Sequence, residues 1–130
     1  MNKIIKQSVL LPASPRELYA QYLNSKAHGA ITGGKVLISP RIGSRFDAFG
    51  GMLTGRVLDL IPGRLIVQAW RSGIFKKADL DSTLVLRFSA KGKGACIDLV
   101  HVNVPDHDYR GVNAGWRKYY WKPWLEYLTS

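Results

Sequence analysis

The sequence predicts an α+β fold: a curved antiparallel sheet of about six to seven strands closed around one long C-terminal helix. Three observations predict it. The stretch Gly115–Leu128 places seven aromatic or proline residues in fourteen positions, in a chain that is 11% aromatic overall. At about 100° per residue, Tyr109, Val112, Asn113, Trp116, Tyr120, Pro123, Trp124 and Tyr127 share one helical face. Between Val36 and Val104 the pattern is instead one of short alternating segments separated by glycine and proline turns. With 130 residues and no repeat, linker or low-complexity segment, residues 1–130 read as one domain. An antiparallel sheet of this size needs one face covered, and only the terminal helix is long enough to cover it. That arrangement is a helix grip, and it commonly leaves a cavity between sheet and helix.

Taken in order, residues 3–11 form a strand closed by Pro12. Ser14 is an N-cap, with Pro15 at the first helical position and Glu17 at the third, and Leu18, Tyr19, Tyr22 and Leu23 follow at helical spacing. Asn24–His28 adds a further turn before Gly33-Gly34. Short strands follow at Val36–Ser39 and Arg45–Phe49. Thr54–Ile61 and Arg64–Arg71 form a hairpin about Pro62-Gly63, and Ser82–Ala90 and Ala95–Val104 form another about Gly92. Ser72–Asp79 is a loop. Asp108 is placed to cap the final helix. Pro123 lies inside that helix, where it removes the partner of the Tyr119 carbonyl and predicts a kink.

Composition limits the function. At 46% hydrophobic and 22% charged, the chain is globular. No apolar run approaches the roughly 20 residues needed to span a bilayer, and the N-terminal residues lack the apolar core of a signal peptide. A cytoplasmic protein without membrane contact is expected. The single cysteine, Cys96, permits neither an internal disulfide nor a cysteine-based metal site and reads as a buried inert thiol. His28, His101 and His107 lack metal-ligand spacing, and neither a metal nor another cofactor is expected. There is no nucleophile elbow and no carboxylate pair, so no catalytic residue is assigned. The net charge of +10 suits an acidic partner. Its lysines and arginines are dispersed, however, and no nucleic-acid recognition motif is present.

Several segments carry a resemblance from end to end: Val9–Pro15, His28–Gly33, Gly43–Gly51, Thr54–Arg56, Ile66–Arg71, and Gly115-Trp116 followed by Tyr119–Trp124. In order and spacing they resemble the homologues of the activator of the heat shock protein 90 ATPase. That family belongs to the START-like (SRPBCC) helix-grip superfamily, with the pollen allergens and polyketide cyclases. The resemblance is to the C-terminal domain of the larger eukaryotic activator; that protein's separate N-terminal domain makes much of its chaperone contact and has no counterpart here. It implies a START-like domain with a hydrophobic cavity and a chaperone- or stress-related partner.

The resemblance sets Ile66, Gln68 and Trp70 inward. Alternation does the same for Leu84, Leu86 and Phe88, and for Ile97, Leu99, His101 and Asn103. The candidate ligand pocket is therefore Trp70, Leu84, Leu86, Phe88, Leu99, His101, Trp116, Tyr120 and Trp124. His101, Asn113 and the hydroxyls of Tyr119 and Tyr120 are its polar handles. In the alternative, the same aromatics fill the core, and His101 and Asn113 satisfy each other or the backbone. Trp121, Lys118 and Lys122 lie off the core stripe as a candidate partner surface, unless the apolar face is wide enough to pack on the sheet edge or N-terminal strand. A non-enzymatic domain, monomer or homodimer, that binds a hydrophobic small molecule or a protein partner is the favoured reading. A cyclase- or lyase-like enzyme using His101 with Tyr120 is the alternative, and electrostatic binding to an acidic partner such as nucleic acid is the second.

Overall fold

A computed structural model describes residues 2–130. Alternating strands joined by tight turns give β1 (Lys3–Leu11), β2 (Val36–Leu37), β3 (Arg45–Ala48), β4 (Leu53–Ile61), β5 (Leu65–Ser72), β6 (Ser82–Lys91) and β7 (Gly94–Val104). They form one seven-stranded antiparallel sheet in the order β1-β7-β6-β5-β4-β3-β2. The Pro62-Gly63 hairpin is present, with Gly63 in the left-handed conformation at φ 72° and Arg64 N–H donating to the Ile61 carbonyl. Ile66, Gln68, Trp70, Leu84, Leu86, Phe88, Ile97, Leu99 and His101 are all buried on the concave face, as alternation and resemblance require.

Helix α1 (Pro15–Leu23) starts at Ser14, whose hydroxyl accepts from Glu17 N–H at 3.1 Å. The single extra turn expected after it is a full helix, α2 (Ser25–Thr32). Asn24 caps its start by accepting from Ala27 N–H, and Gly33 ends it at φ 75°. Strand β2 is shorter than the expected Val36–Ser39 because the Ser25 hydroxyl both accepts from Ile38 N–H and donates to the Ile38 carbonyl. That removes Ile38 from the ladder. β7 loses its alternation at Asn103, which stands at φ 61°. Its side chain accepts from Asn2 and donates to the Asp81 carbonyl, so it does not share the inward face with His101.

The terminal helix is continuous but not uniform. A short 3-10 turn (Asp106–Asp108) leads into α3 (Tyr109–Gly115), then a π-helical turn over Trp116–Trp121, then α4 (Lys122–Thr129). Where a proline kink was expected there is a widened turn: Lys122 N–H donates to the carbonyl of Arg117, five residues back. Pro123 follows it in the first turn of α4, where a missing N–H is tolerated. The wider turn also brings residues five apart into register. Trp121 is therefore stacked on Trp116, with ring centroids 5.7 Å apart, and Tyr127 turns outward.

Among the glycines, Gly55 on β4 has the least room for a side chain. A Cβ there would lie 1.8 Å from the Ala69 carbonyl oxygen and 2.6 Å from the Phe46 ring. Both are fixed, one by the β4–β5 ladder and one by the core. Gly55→Ala is therefore expected to destabilise the domain by about 3 kcal/mol or more. Thermal and denaturant unfolding check this, and a loss under about 1 kcal/mol would contradict the close approach.

Candidate functional site

Four of the large aromatic residues of the terminal helix each point a polar tip at a different element. Trp116 Nε1 donates to His101 Nδ1 on β7 at 3.2 Å. The Tyr120 hydroxyl lies 2.9 Å from His28 Nε2 on α2. Trp121 Nε1 donates to Gln7 Oε1 on β1 at 2.8 Å, and Trp124 Nε1 donates to Gln21 Oε1 on α1 at 2.8 Å. Gln7 also donates to the side-chain and main-chain oxygens of Asn113. Buried indole and phenol rings ordinarily find such partners; here the partners also fix the helix on the sheet.

These contacts settle both histidine tautomers. Because Trp116 donates to Nδ1 of His101, its Nε2–H donates to the Ser82 hydroxyl, which in turn donates to the Trp70 carbonyl. In His28, Nδ1 faces the Tyr22 carbonyl at 2.7 Å and must donate, leaving Nε2 to accept from Tyr120. Burial lowers the pKa of His101 to about 3. Burial also lowers that of His28 to about 4, against a smaller opposing effect of the Tyr22 carbonyl. Burial holds the Tyr120 hydroxyl well above the usual phenol range. All three groups are neutral at pH 7.

Free space lies beside this packed centre, at the other end of the helix. A cavity of about 480 Å³ opens between α3 and the β3–β5 side of the sheet. One wall is a helical stripe of Asp108, Gly111, Val112, Gly115, Trp116 and Tyr119, at spacings of three and four, continued by Tyr120. The other is Phe49, Met52, Leu53, Trp70, Ser72 and Ile74. Gly111 and Gly115 matter because they place no side chain in the gap. Phe49 is held at φ 55°, a strained value for a bulky residue. Its ring packs edge-on to Tyr119 at 5.9 Å and sits where a Cβ on Gly34 would collide with it.

Of the nine residues expected to line a pocket, Trp70, Trp116 and Tyr120 do so. Leu84, Leu86, Phe88, Leu99, His101 and Trp124 are instead core residues, each at most 3% exposed. Ring packing fills the space above them: Trp70 lies 6.1 Å from Trp116, and Trp124 stacks on Tyr22 at 6.4 Å. His101 and Asn113 do not satisfy each other, and neither lines the cavity. The His101–Tyr120 pair does not converge on one cavity, since the Tyr120 hydroxyl is joined to His28. Trp121 is not a partner surface. It is 7% exposed, turned inward by the π turn onto Gln7, while Lys118 and Lys122 remain exposed. Asp108 makes no cap bond. Its Oδ2 accepts from the Ser72 hydroxyl at 2.6 Å instead. Cys96 is only half buried, and burial followed by the nearby Asp98 raises its thiol pKa, so it stays protonated and inert.

Sequence reasoning missed Phe49, Met52, Leu53, Ser72, Ile74, Asp108 and the two helical glycines. The Gly111/Gly115 spacing was the available signal, because a glycine in a helix costs about 1 kcal/mol relative to alanine and two on one face mark a gap. No helix among the described residues is long and apolar enough to cross a membrane, and they contain no grouping of three metal-binding side chains.

Comparison with known proteins places this geometry. The family model described as Activator of Hsp90 ATPase homolog 1-like protein matches residues 12–124. The human Activator of 90 kDa heat shock protein ATPase homolog 1 is 25% identical over 109 residues, which are 84% of this chain and 32% of that protein. The chain thus spans about a third of that relative. A crystal structure of an HSP90 activator from Plasmodium falciparum is similar with a TM-score of 0.81 at 18% identity, over 90% of this chain and 89% of that one. A protein from Chromobacterium violaceum is similar with a TM-score of 0.78 at 24% identity, over 100% and 99% of the two chains. These two likenesses show the fold.

The buried histidines predict how stability responds to acid. Above pH 6.5 both folded and unfolded histidines are neutral. Below it the unfolded chain takes up protons that the native state refuses until about pH 4 at His28 and about pH 3 at His101. Stability is therefore expected to fall between pH 7 and pH 5, by roughly 2 kcal/mol per histidine. His101→Gln should remove about half of that slope. Urea unfolding at a series of pH values checks both, and a flat profile down to pH 5 would contradict the neutral pair.

Proposed function

The chain belongs to the family of Activator of Hsp90 ATPase homolog 1-like proteins, and from that premise we propose that it is a non-enzymatic START-like domain whose cavity holds a small apolar molecule. The observation that carries this reading is the cavity itself. Its volume falls in the range of small-molecule sites, roughly 300–1,000 Å³, and its walls are mostly apolar and aromatic with few polar groups. The helix keeps two glycines where they open that space. The cyclase- or lyase-like alternative, which pairs His101 with Tyr120, lacks its histidine in the cavity, because His101 lies outside it and both its nitrogens, like those of His28, are already bonded.

The test fills the cavity from the helix. A Cβ on Gly115 meets only the Tyr119 ring, at 3.5 Å, so the helix accepts a side chain there. Gly115→Leu is expected to fold with equal or higher stability and to lose affinity for small aromatic and aliphatic probes by tenfold or more, measured by calorimetry or ligand-observed NMR. Equal binding by the wild type and the variant would remove the cavity as the site.

Relatedness to the human ATPase activator favours a second reading, in which the domain also docks on a chaperone in a stress-related role. Lys118 and Lys122 are exposed on the outer face of the helix, in a chain of net charge +10. They suit an acidic partner surface. The double variant Lys118→Glu, Lys122→Glu is expected to weaken association with purified Hsp90 severalfold at low salt while keeping the wild-type melting temperature. Unchanged association would exclude these lysines from the contact.

A further inference from the structure

Among the residues lining the cavity, one carries a charged side chain, and it is an acid in a chain of net charge +10. Asp108 is only 9% exposed. Its Oδ2 is held at 2.6 Å by the Ser72 hydroxyl, and that hydroxyl is itself fixed by accepting from Ile74 N–H at 3.1 Å. Its Oδ1 has no hydrogen-bond or ion-pair partner among the described residues. A Cβ on Gly111 would lie 3.4 Å from that oxygen, so glycine keeps the space beside it clear. The usual role of an aspartate at a helix start is to cap it, and here the side chain makes no such bond. The Oδ1 oxygen is not sealed in the core, and its residue is on the cavity wall, so a donor that enters the cavity can reach it.

From this geometry we infer that the cavity selects a ligand with a protonated amine on an aromatic or aliphatic body, the ammonium bound by Asp108 Oδ1 and the body lying among the rings. This inference rests on the cavity being the binding site. Charge-assisted hydrogen bonds of this kind are among the strongest available to a protein. The cavity wall includes five rings, from Phe49, Trp70, Trp116, Tyr119 and Tyr120, and ring faces also attract a cation. No lysine or arginine lines the cavity to compete for the carboxylate. The positive charge of the whole chain opposes an approaching cation at long range. Beyond about 8 Å, however, exposed charges are largely screened at physiological ionic strength, and the carboxylate acts at contact.

A matched ligand series on the intact protein tests this: tryptamine, neutral 3-ethylindole and anionic indole-3-propionate, with affinities measured by calorimetry at pH 7. Tryptamine should bind about tenfold or more tightly than 3-ethylindole, and indole-3-propionate most weakly. In Asp108→Asn, which keeps an acceptor for Ser72, the preference for tryptamine over 3-ethylindole should vanish. If the wild type binds 3-ethylindole as well as tryptamine, or Asp108→Asn keeps the preference, amine selection by Asp108 is overturned while the cavity remains a ligand site. If none of the three binds at millimolar concentration, the cavity reading itself fails. The wild-type series decides the matter even if the variant does not fold.

Discussion

Everything in this fold depends on one helix presenting four large rings, Trp116, Tyr120, Trp121 and Trp124, to the same core. An unbroken α-helix cannot do this. At about 100° per residue, Trp121 falls some 140° from Trp116 and would face water. The π turn removes the conflict by closing its bonds five residues back, and Pro123 sits at its end, where the α-helical bond it would break is not required. Sequence and geometry thus explain each other: the proline makes regular α-helix unfavourable at this point, and the alternative turn is the one that buries the extra tryptophan. Each ring then needs a partner for its N–H or O–H, and the four partners lie on β7, α2, β1 and α1. The helix is located on the sheet by directional bonds as well as by apolar contact.

That solution fixes where empty space can be. Rings of this size, interleaved at centroid distances of 4.8 to 6.4 Å, leave no void over the sheet centre. The same helix changes character toward its N-terminal end, where the inward positions become Asp108, Gly111, Val112 and Gly115. Large residues over one half of the sheet and glycine over the other make a domain that is solid at one end and open at the other. Two glycines within a helix weaken it locally, and the four-point attachment of the ring cluster offsets that weakness. Open space and stability are separated along a single element.

The architecture was legible because it is written in short-range patterns. Alternation placed the strands, Pro62-Gly63 placed a hairpin, and Ser14-Pro15-Glu17 placed a helix start. The site was only partly legible, for specific physical reasons. Periodicity identified Trp116 and Tyr120 as inward, but a straight-helix projection sent Trp121 outward and Tyr127 inward, since a π turn leaves no mark on hydrophobic spacing. The concave face of the sheet was identified correctly, yet Leu84, Leu86, Phe88 and Leu99 became core, because spacing gives the direction of a side chain and not the height of what lies above it. Asp108 looked like a cap because its position is that of a cap. Its bond to Ser72 joins residues 36 apart, which no local pattern reveals.

Buried histidines beside tyrosines and a cavity resemble catalytic machinery, and the hydrogen bonds argue against either histidine as its base. A general base needs a lone pair free to face its substrate. His101 gives one nitrogen to Trp116 and the other to Ser82, while His28 gives one to Tyr22 and the other to Tyr120. Both rings are held neutral in a single tautomer, each with no site left to take a proton. Gln68 makes the same point from the other side. It is fully buried, its Oε1 accepts from Tyr22, and its Nε2 is the one buried side-chain nitrogen or oxygen without a partner among the described residues. An unfilled donor locked in the core, away from the cavity, is a cost of packing. Asp108 differs from all three in one respect that matters for function: its unfilled valence belongs to a residue on the wall of a space a ligand can enter.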